Sequence, residues 1–152
     1  MIWPTFEWVD ANGRFRLAIM PRPDGDELEA HLTALKQKGA DVIASMLEAD
    51  EAIALGLGGE AELCEKLGMK FYQHPVPDHG TPLDRAAAEA FARDLIRELE
   101  AGLGVVIHCY AGIGRSATMA AAVLILAGFT LQEACDRLSA ARCLRVPETA
   151  KQ

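Results

Sequence analysis

Hydrophobic and polar positions follow two different periods along the chain. Short apolar runs bounded by glycine, proline or charged residues predict buried strands. Between these runs, apolar residues recur every three or four positions, as on the inner face of a helix. The predicted strands cover 15–20, 41–46, 71–74 and 105–107. The predicted helices cover 26–38, 48–55, 60–67, a long helix that begins between 81 and 84 and reaches about 102, then 117–127 and 131–141, with a last turn opening at Pro147. Gly39 is expected to end the first helix, Thr81 or Leu83–Asp84 to cap the long one, and the Thr-x-x-Glu pattern of Thr130 and Glu133 to cap the last.

The order of these elements predicts an α/β fold. Strands that alternate with helices favour a three-layer α/β/α single domain over residues 1–152, with a mostly parallel central sheet and helices on both faces. Near the start, Asn12-Gly13 separates two apolar segments at 6–9 and 15–20. Because Asn-Gly favours a turn with two positive φ angles, this stretch predicts a hairpin.

Composition narrows the possible partners and compartments. The chain has 152 residues, 51% of them hydrophobic, and a net charge of −7. This charge argues against a nucleic-acid surface. No cluster of Lys or Arg indicates a surface for acidic lipids, and highly charged inositol phosphates are expected to be poor substrates. The longest apolar stretch, 117–129, is shorter than the ~20 residues that cross a bilayer. Four irregularly spaced cysteines and the absence of an apolar leader favour a cytoplasmic protein that does not bind membranes.

The stretch 104–116, GVVIHCYAGIGRS, predicts an anion-binding site. A β-branched strand runs into a glycine-containing loop and then into a helix, whose first backbone N–H groups have no partner within the helix. Arg115 offers a planar fork of donors that matches two phosphate oxygens, and the positive field favours a Cys109 thiolate. Ser116 can donate a hydrogen bond to that sulfur. The predicted phosphate-binding residues are Tyr110, Ala111, Gly112, Ile113, Gly114 and Arg115, with Gly112 and Gly114 supplying unusual dihedral angles.

The segment His-Cys-x5-Arg-Ser resembles the signature of cysteine-dependent protein tyrosine and dual-specificity phosphatases. Its glycine pattern is similar to the dual-specificity branch, and residues 41–152 resemble the atypical and kinase-associated members. The resemblance implies a phosphate-binding loop between the last core strand and a buried helix. It also implies hydrolysis of phosphotyrosine, with phosphoserine or phosphothreonine as further substrates, through a phosphocysteine intermediate and without a cofactor.

Hydrolysis of a phosphate monoester needs a general acid that protonates the leaving oxygen. The segment 75–82, which precedes the signature and contains three prolines and a glycine, holds the candidate. From the residues alone, Asp78 reads as an ordinary turn aspartate. The resemblance instead matches Asp78 with the general acid of the family. The neighbouring His79 is interpreted as a solvated loop histidine.

Other candidates carry weaker signals. His108 either satisfies buried backbone groups or fixes the loop, and we expect structural support rather than proton transfer. The resemblance points to Glu148, Thr149 and Gln152 near the phosphate, and raises Glu51 as a brace for the loop, although an exposed helix glutamate is the favoured interpretation. No His or Cys spacing is typical of zinc, so we expect no metal.

The expected function is therefore that of a phosphoprotein phosphatase. The alternative is an inactive, phosphatase-like module that only binds phosphorylated partners. Because Cys109, Arg115 and Asp78 are all present, the sequence favours the enzyme. The sequence does not determine the oligomeric state, or whether Cys64, Cys135 or Cys143 protects Cys109 as a disulfide.

Overall fold

Four parallel strands form the centre of the protein in a computed structural model that describes residues 6–77 and 84–142. They are β1 (Leu17–Met20), β2 (Val42–Ser45), β3 (Lys70–Gln73) and β4 (Val105–His108), in the spatial order β1-β4-β2-β3. Every residue of β1, β2 and β4 is buried, as expected for strands covered on both faces.

Helices cover both faces of the sheet, which confirms the predicted three-layer architecture. Along β4, Val105 and Ile107 pack in the core formed with α4, α5 and α6, whereas Val106 packs with α1 and α3 on the opposite face. None of the helices in the described part of the chain has the length and apolar character to span a membrane. The helices are α1 (Leu28–Lys38), α2 (Ala49–Ala54), α3 (Glu60–Lys66), α4 (Arg85–Glu100), α5 (Arg115–Leu126) and α6 (Leu131–Arg142), with a short 3-10 turn at Gly25–Glu27.

Several helix ends follow the predicted signals. Gly39 ends α1 with φ of 116°, and the Asp84 carboxylate accepts the Ala87 N–H at 3.0 Å at the start of α4. Before α6, Thr130 N–H donates to the Glu133 carboxylate at 2.8 Å and Glu133 N–H donates to the Thr130 hydroxyl at 3.1 Å. This is the reciprocal capping pattern expected from Thr-x-x-Glu. The alternative cap Thr81 and the turn at Pro147 lie outside the described residues.

The predicted amino-terminal hairpin is wrong, although its turn is present. Asn12 and Gly13 have φ of 59° and 75°, but residues 6–11 contain no strand, and one backbone hydrogen bond, Val9 N–H to Leu17 O at 2.7 Å, links them to β1. Phe6 and Val9 are buried in different cores. A hairpin needs a ladder of backbone hydrogen bonds between its two strands, and this single bond does not form one, so the segment lies beside β1 without becoming a strand.

The two edges of the sheet carry different structures. At the carboxyl edge, Met46 N–H donates to His108 O at 2.9 Å and Val76 N–H donates to Met46 O at 3.1 Å, so the segments leaving β2, β3 and β4 are joined. At the amino edge, Arg16 donates to the backbone oxygens of Gly39 and Gly102 and to the Asp41 carboxylate. The candidate site lies at the carboxyl edge.

Candidate active site

The signature loop, residues 109–115, leaves β4 directly and leads into α5. Gly112 has φ of 75°, and a Cβ atom there would lie 2.4 Å from the carbonyl carbon of Met20. This position therefore requires glycine both for its backbone conformation and for its close approach to the end of β1. Gly114 has φ of −117°, so the argument from positive φ applies to Gly112 alone.

Cys109 lies at the base of this loop, with 2% of its surface exposed. The Ser116 hydroxyl donates to the Cys109 Sγ at 2.7 Å, and the Gly112 N–H donates to it at 3.3 Å. Ser116 is in the first turn of α5, so the start of this helix faces the sulfur. Two donors, one from the loop and one from the start of the helix, therefore converge on the Cys109 sulfur.

Arg115 begins α5 and is buried. Its Nη1 and Nη2 atoms donate to the two carboxylate oxygens of Glu51 at 2.7 and 2.8 Å, and Nη1 also donates to Val76 O at 2.9 Å. The plane of the guanidinium is therefore fixed before any anion binds. Since Val76 lies two positions before Asp78, the same side chain anchors the segment that leads to the predicted acid.

The interpretation of Glu51 as an exposed helix glutamate is wrong. Only 20% of its side chain is exposed, because α2 places it against Arg115. The hydrogen bond from Arg115 is the main reason that the pKa of Glu51 lies below its ordinary value, and the positive charge of Arg115 acts in the same direction. The brace suggested by the family resemblance is therefore the arrangement observed.

His108 has a partner that the sequence did not reveal. The Nε2 atom of this last residue of β4 lies 2.7 Å from an oxygen of Glu60, and both side chains are buried. Glu60 is the first residue of α3, a position that is usually exposed and that carries no sequence signal for a buried role. This pairing agrees with a supporting position for His108 beneath the loop.

Of the other residues named from the sequence, the structure describes some, such as Cys64, and does not describe the rest. Burial raises the pKa of the Cys64 thiol to about 12, with the charge of Glu60 as a further cause. Within 6–77 and 84–142, no three His, Cys, Asp or Glu side chains are grouped so that they could hold a metal ion. The predicted residues Asp78, His79, Glu148, Thr149 and Gln152, together with Cys143, lie outside the described residues.

The mouth of the loop is polar and partly exposed. Tyr110 is 45% exposed, and the Arg142 Nη2 atom donates to Ala111 O at 3.2 Å. The structure thus brings together Cys109, the loop residues 110–114, Arg115, Ser116 and His108, and it adds Glu51 and Glu60 as buried partners.

Known proteins share both sequence and fold with this chain. Cyclin-dependent kinase inhibitor 3 of Rattus norvegicus is 33% identical over 93 residues, which are 60% of this chain and 43% of the relative. The Homo sapiens protein of the same name is also 33% identical over 93 residues, with the same shares of the two chains. The chain therefore spans less than half the length of these curated relatives.

Two solved structures extend the likeness to nearly the whole chain. A kinase-associated phosphatase with its catalytic-site cysteine substituted by serine superposes with a TM-score of 0.87 at 23% identity, covering 99% of this chain and 91% of the other. The active form of Tk-PTP gives a TM-score of 0.77 at 26% identity, covering 99% and 92%.

A family model decides the assignment. The model described as "Polymorphic toxin system, DSP-PTPase phosphatase" matches residues 20–129, which include all four strands except the first three residues of β1, and the whole signature loop. The predicted resemblance to dual-specificity phosphatases is confirmed. Because the match spans well over half of the chain, the protein belongs to this DSP-PTPase phosphatase family.

Proposed function

We propose that this protein hydrolyses phosphate monoesters on phosphoproteins, with phosphotyrosine as substrate and phosphoserine or phosphothreonine as further candidates. The observation that carries the proposal is the buried Cys109 Sγ, which accepts a hydrogen bond from the Ser116 hydroxyl at 2.7 Å beside the start of α5. A sulfur that faces hydrogen-bond donors at the base of an anion-binding loop is placed for attack on phosphorus.

In the first step, Cys109 Sγ attacks phosphorus in line with the ester oxygen. A sulfur–phosphorus bond forms, the phosphorus–oxygen ester bond breaks, and the leaving oxygen takes a proton from the Asp78 carboxyl group. The backbone N–H groups of residues 110–115 and the Arg115 guanidinium hold the other phosphate oxygens. The fixed plane of Arg115 supports this role, since no side-chain reorganisation is then needed in the transition state.

In the second step, water attacks the phosphocysteine. Asp78 now accepts a proton from the water as an oxygen–phosphorus bond forms and the sulfur–phosphorus bond breaks. Cys109 leaves as a thiolate, which accepts a hydrogen bond from the Ser116 hydroxyl. The contact between Ser116 and Cys109 supports this assignment. We assign Glu148, Thr149 and Gln152 to orienting the water, on the family resemblance of their segment.

The names of the relatives support the proposed kind of substrate. Their names refer to protein kinases, which supports a phosphorylated protein as substrate. The proposal treats residues 1–152 as one phosphatase domain. It places the protein in the cytoplasm, because catalysis needs Cys109 in its reduced form.

The test is phosphate release from matched phosphotyrosine, phosphothreonine and phosphoserine peptides under reducing conditions without added metal. The Cys109→Ser variant should release no phosphate while still binding phosphate, because the nucleophile alone is changed. The Asp78→Ala variant should turn over ~10²–10⁴-fold more slowly, the range for losing a general acid.

Either variant acting at the wild-type rate would contradict the mechanism. Saturable peptide binding by the wild type with no phosphate release would instead identify a phospho-binding module. Release from all three peptides would indicate a shallow site, whereas release from phosphotyrosine alone would indicate a deep one.

A further inference from the structure

Arg22 is attached to the mouth of the signature loop by two contacts. Its backbone N–H donates to Tyr110 O at 3.1 Å, and its guanidinium carbon lies 4.7 Å from the centre of the Tyr110 ring. An arginine over a tyrosine face is held by attraction between the cation and the ring electrons. The side chain and the backbone of Arg22 thus bind the same loop residue.

The segment around Arg22 is also rigid. Pro21 and Pro23 fix the backbone on either side. On the loop side, Gly112 approaches the backbone of Met20 and Pro21 so closely that a Cβ atom would overlap both. Arg22 is therefore held in place before a substrate arrives, which reduces the entropy lost when it binds one.

The Arg22 guanidinium forms no ion pair with a carboxylate among the described residues. Arg115 is paired with the Glu51 carboxylate, whereas Arg22 forms no ion pair within 6–77 and 84–142. The Arg142 guanidinium donates to Ala111 O on the next loop residue, so two further arginines approach the mouth beside the phosphate-binding Arg115.

We propose that Arg22, stacked on Tyr110, forms a second anion subsite that binds an acidic group on a residue next to the phosphorylated one. The inference rests on the proposed phosphatase function and specifies its substrate class. A peptide advances about 3.3–3.6 Å per residue, so the first or second neighbour of the phosphorylated residue falls beside the loop mouth. The planar guanidinium fits either a carboxylate or a second phosphate.

The test compares phosphotyrosine peptides that differ only by Glu or Gln at the flanking positions, which removes the charge and keeps the shape. A third peptide carries phosphoserine at the same position. With the wild type, kcat/KM should be roughly 3–10-fold higher for the anionic peptides, mainly through KM, and the preference should shrink as salt is raised.

The Arg22→Gln variant should lose this preference while keeping its activity on the Gln peptide, and Arg22→Lys should retain only part of it. Arg14→Gln is the matched control. The Arg14 guanidinium also lies over aromatic rings, Phe15 at 5.3 Å and Phe129 at 5.6 Å, but donates to Ala127 O at the end of α5 opposite the signature loop. This control should preserve the preference.

The outcomes separate the subsite from the phosphatase activity. The subsite is supported if the wild type prefers the Glu peptide, the phosphoserine peptide or both, and if Arg22→Gln loses this preference. The preferred peptide then identifies the anion that the subsite binds. Equal rates on all three peptides, or a preference that survives Arg22→Gln, overturn the subsite while leaving the activity intact. Absence of release from every peptide overturns the proposed function itself.

Discussion

Glu60 and His108 are two buried polar side chains that satisfy each other at 2.7 Å beneath the signature loop. A buried carboxylate needs a partner because it has been removed from water. The pair therefore links the start of α3 to the residue that precedes Cys109. Its contribution to stability can be tested separately from catalysis.

The Glu60→Leu variant should be less stable than the wild type by about 1–3 kcal/mol, since it leaves the buried Nε2 atom of His108 without its hydrogen-bond partner. Urea unfolding measures this difference. Glu62→Leu, in the same helix but exposed, is the matched control and should change stability by less than about 0.5 kcal/mol. Equal midpoints for the two variants would show that the pair contributes nothing to stability.

Among the elements, the signature loop depends on a backbone contact with β1 that only glycine permits. At Gly112, a side chain would meet both an unfavourable backbone conformation and the carbonyl group of Met20. Position 112 therefore fixes both the shape of the loop and its distance from the first strand.

We expect Gly112→Ala to destabilise the protein by at least about 2 kcal/mol and to abolish phosphate release, because left-handed strain and steric overlap add. Gly102→Ala separates the two effects. Gly102 has φ of 88° with no atom within 4 Å of the added Cβ, so this variant should show the backbone strain alone, about 1–2 kcal/mol, and keep its activity. Thermal unfolding and phosphate release measure both variants, and full activity in Gly112→Ala would contradict the expectation.

The sequence predicted those elements whose signals are local. The Thr130–Glu133 capping pattern, the Gly39 helix end and the strand–loop–helix arrangement around Cys109 each lie within a few residues. The hairpin prediction failed because the turn at Asn12-Gly13 does not by itself produce a ladder of backbone hydrogen bonds, and the described residues 6–11 form one such bond to β1, from Val9 N–H to Leu17 O.

At the scale of the whole molecule, strand order decides which distant residues meet. Arg115 contacts Glu51 across 64 residues, and His108 contacts Glu60 across 48. Both contacts follow from placing β4 beside β2, with α2 and α3 following β2 along the chain. No periodicity specifies that order. The sequence therefore predicted the local group of Cys109, Arg115 and Ser116, but it did not predict the buried contacts of Glu60 and Glu51.

Stability of the whole molecule should fall as the pH decreases below about 6.5, the ordinary pKa of histidine. Burial is the main reason that the pKa of His31 is lowered; the charge of Asp24 opposes this shift and that of His108 reinforces it. Burial also lowers the pKa of His74. The folded state then binds fewer protons than the unfolded state in this range, so its stability decreases with acidification, at no more than about 1.4 kcal/mol per pH unit for each group.

The His31→Asn variant should flatten the decline between pH 6.5 and 5.5, because asparagine can still accept the Asp24 N–H that His31 Nδ1 accepts at 2.9 Å. Urea unfolding at several pH values measures this slope. Glu51→Gln is the control: the lowered pKa of Glu51 stabilises the folded state above the ordinary value of 4.5, and this contribution is lost only at lower pH. An unchanged slope in His31→Asn would assign the decline to other groups.

The Arg16 contacts make the amino edge of the sheet suitable for attaching the protein to a solid support. They hold the turn at Gly102, which is exposed and lies three residues before β4, whereas Cys109 directly follows the other end of this strand. A tether joined at Gly102 would leave the loop mouth directed away from a solid support. Protein immobilised in this way should therefore leave the loop mouth accessible from solution, and the distance between the anchor and Cys109 would be set by a single strand, β4.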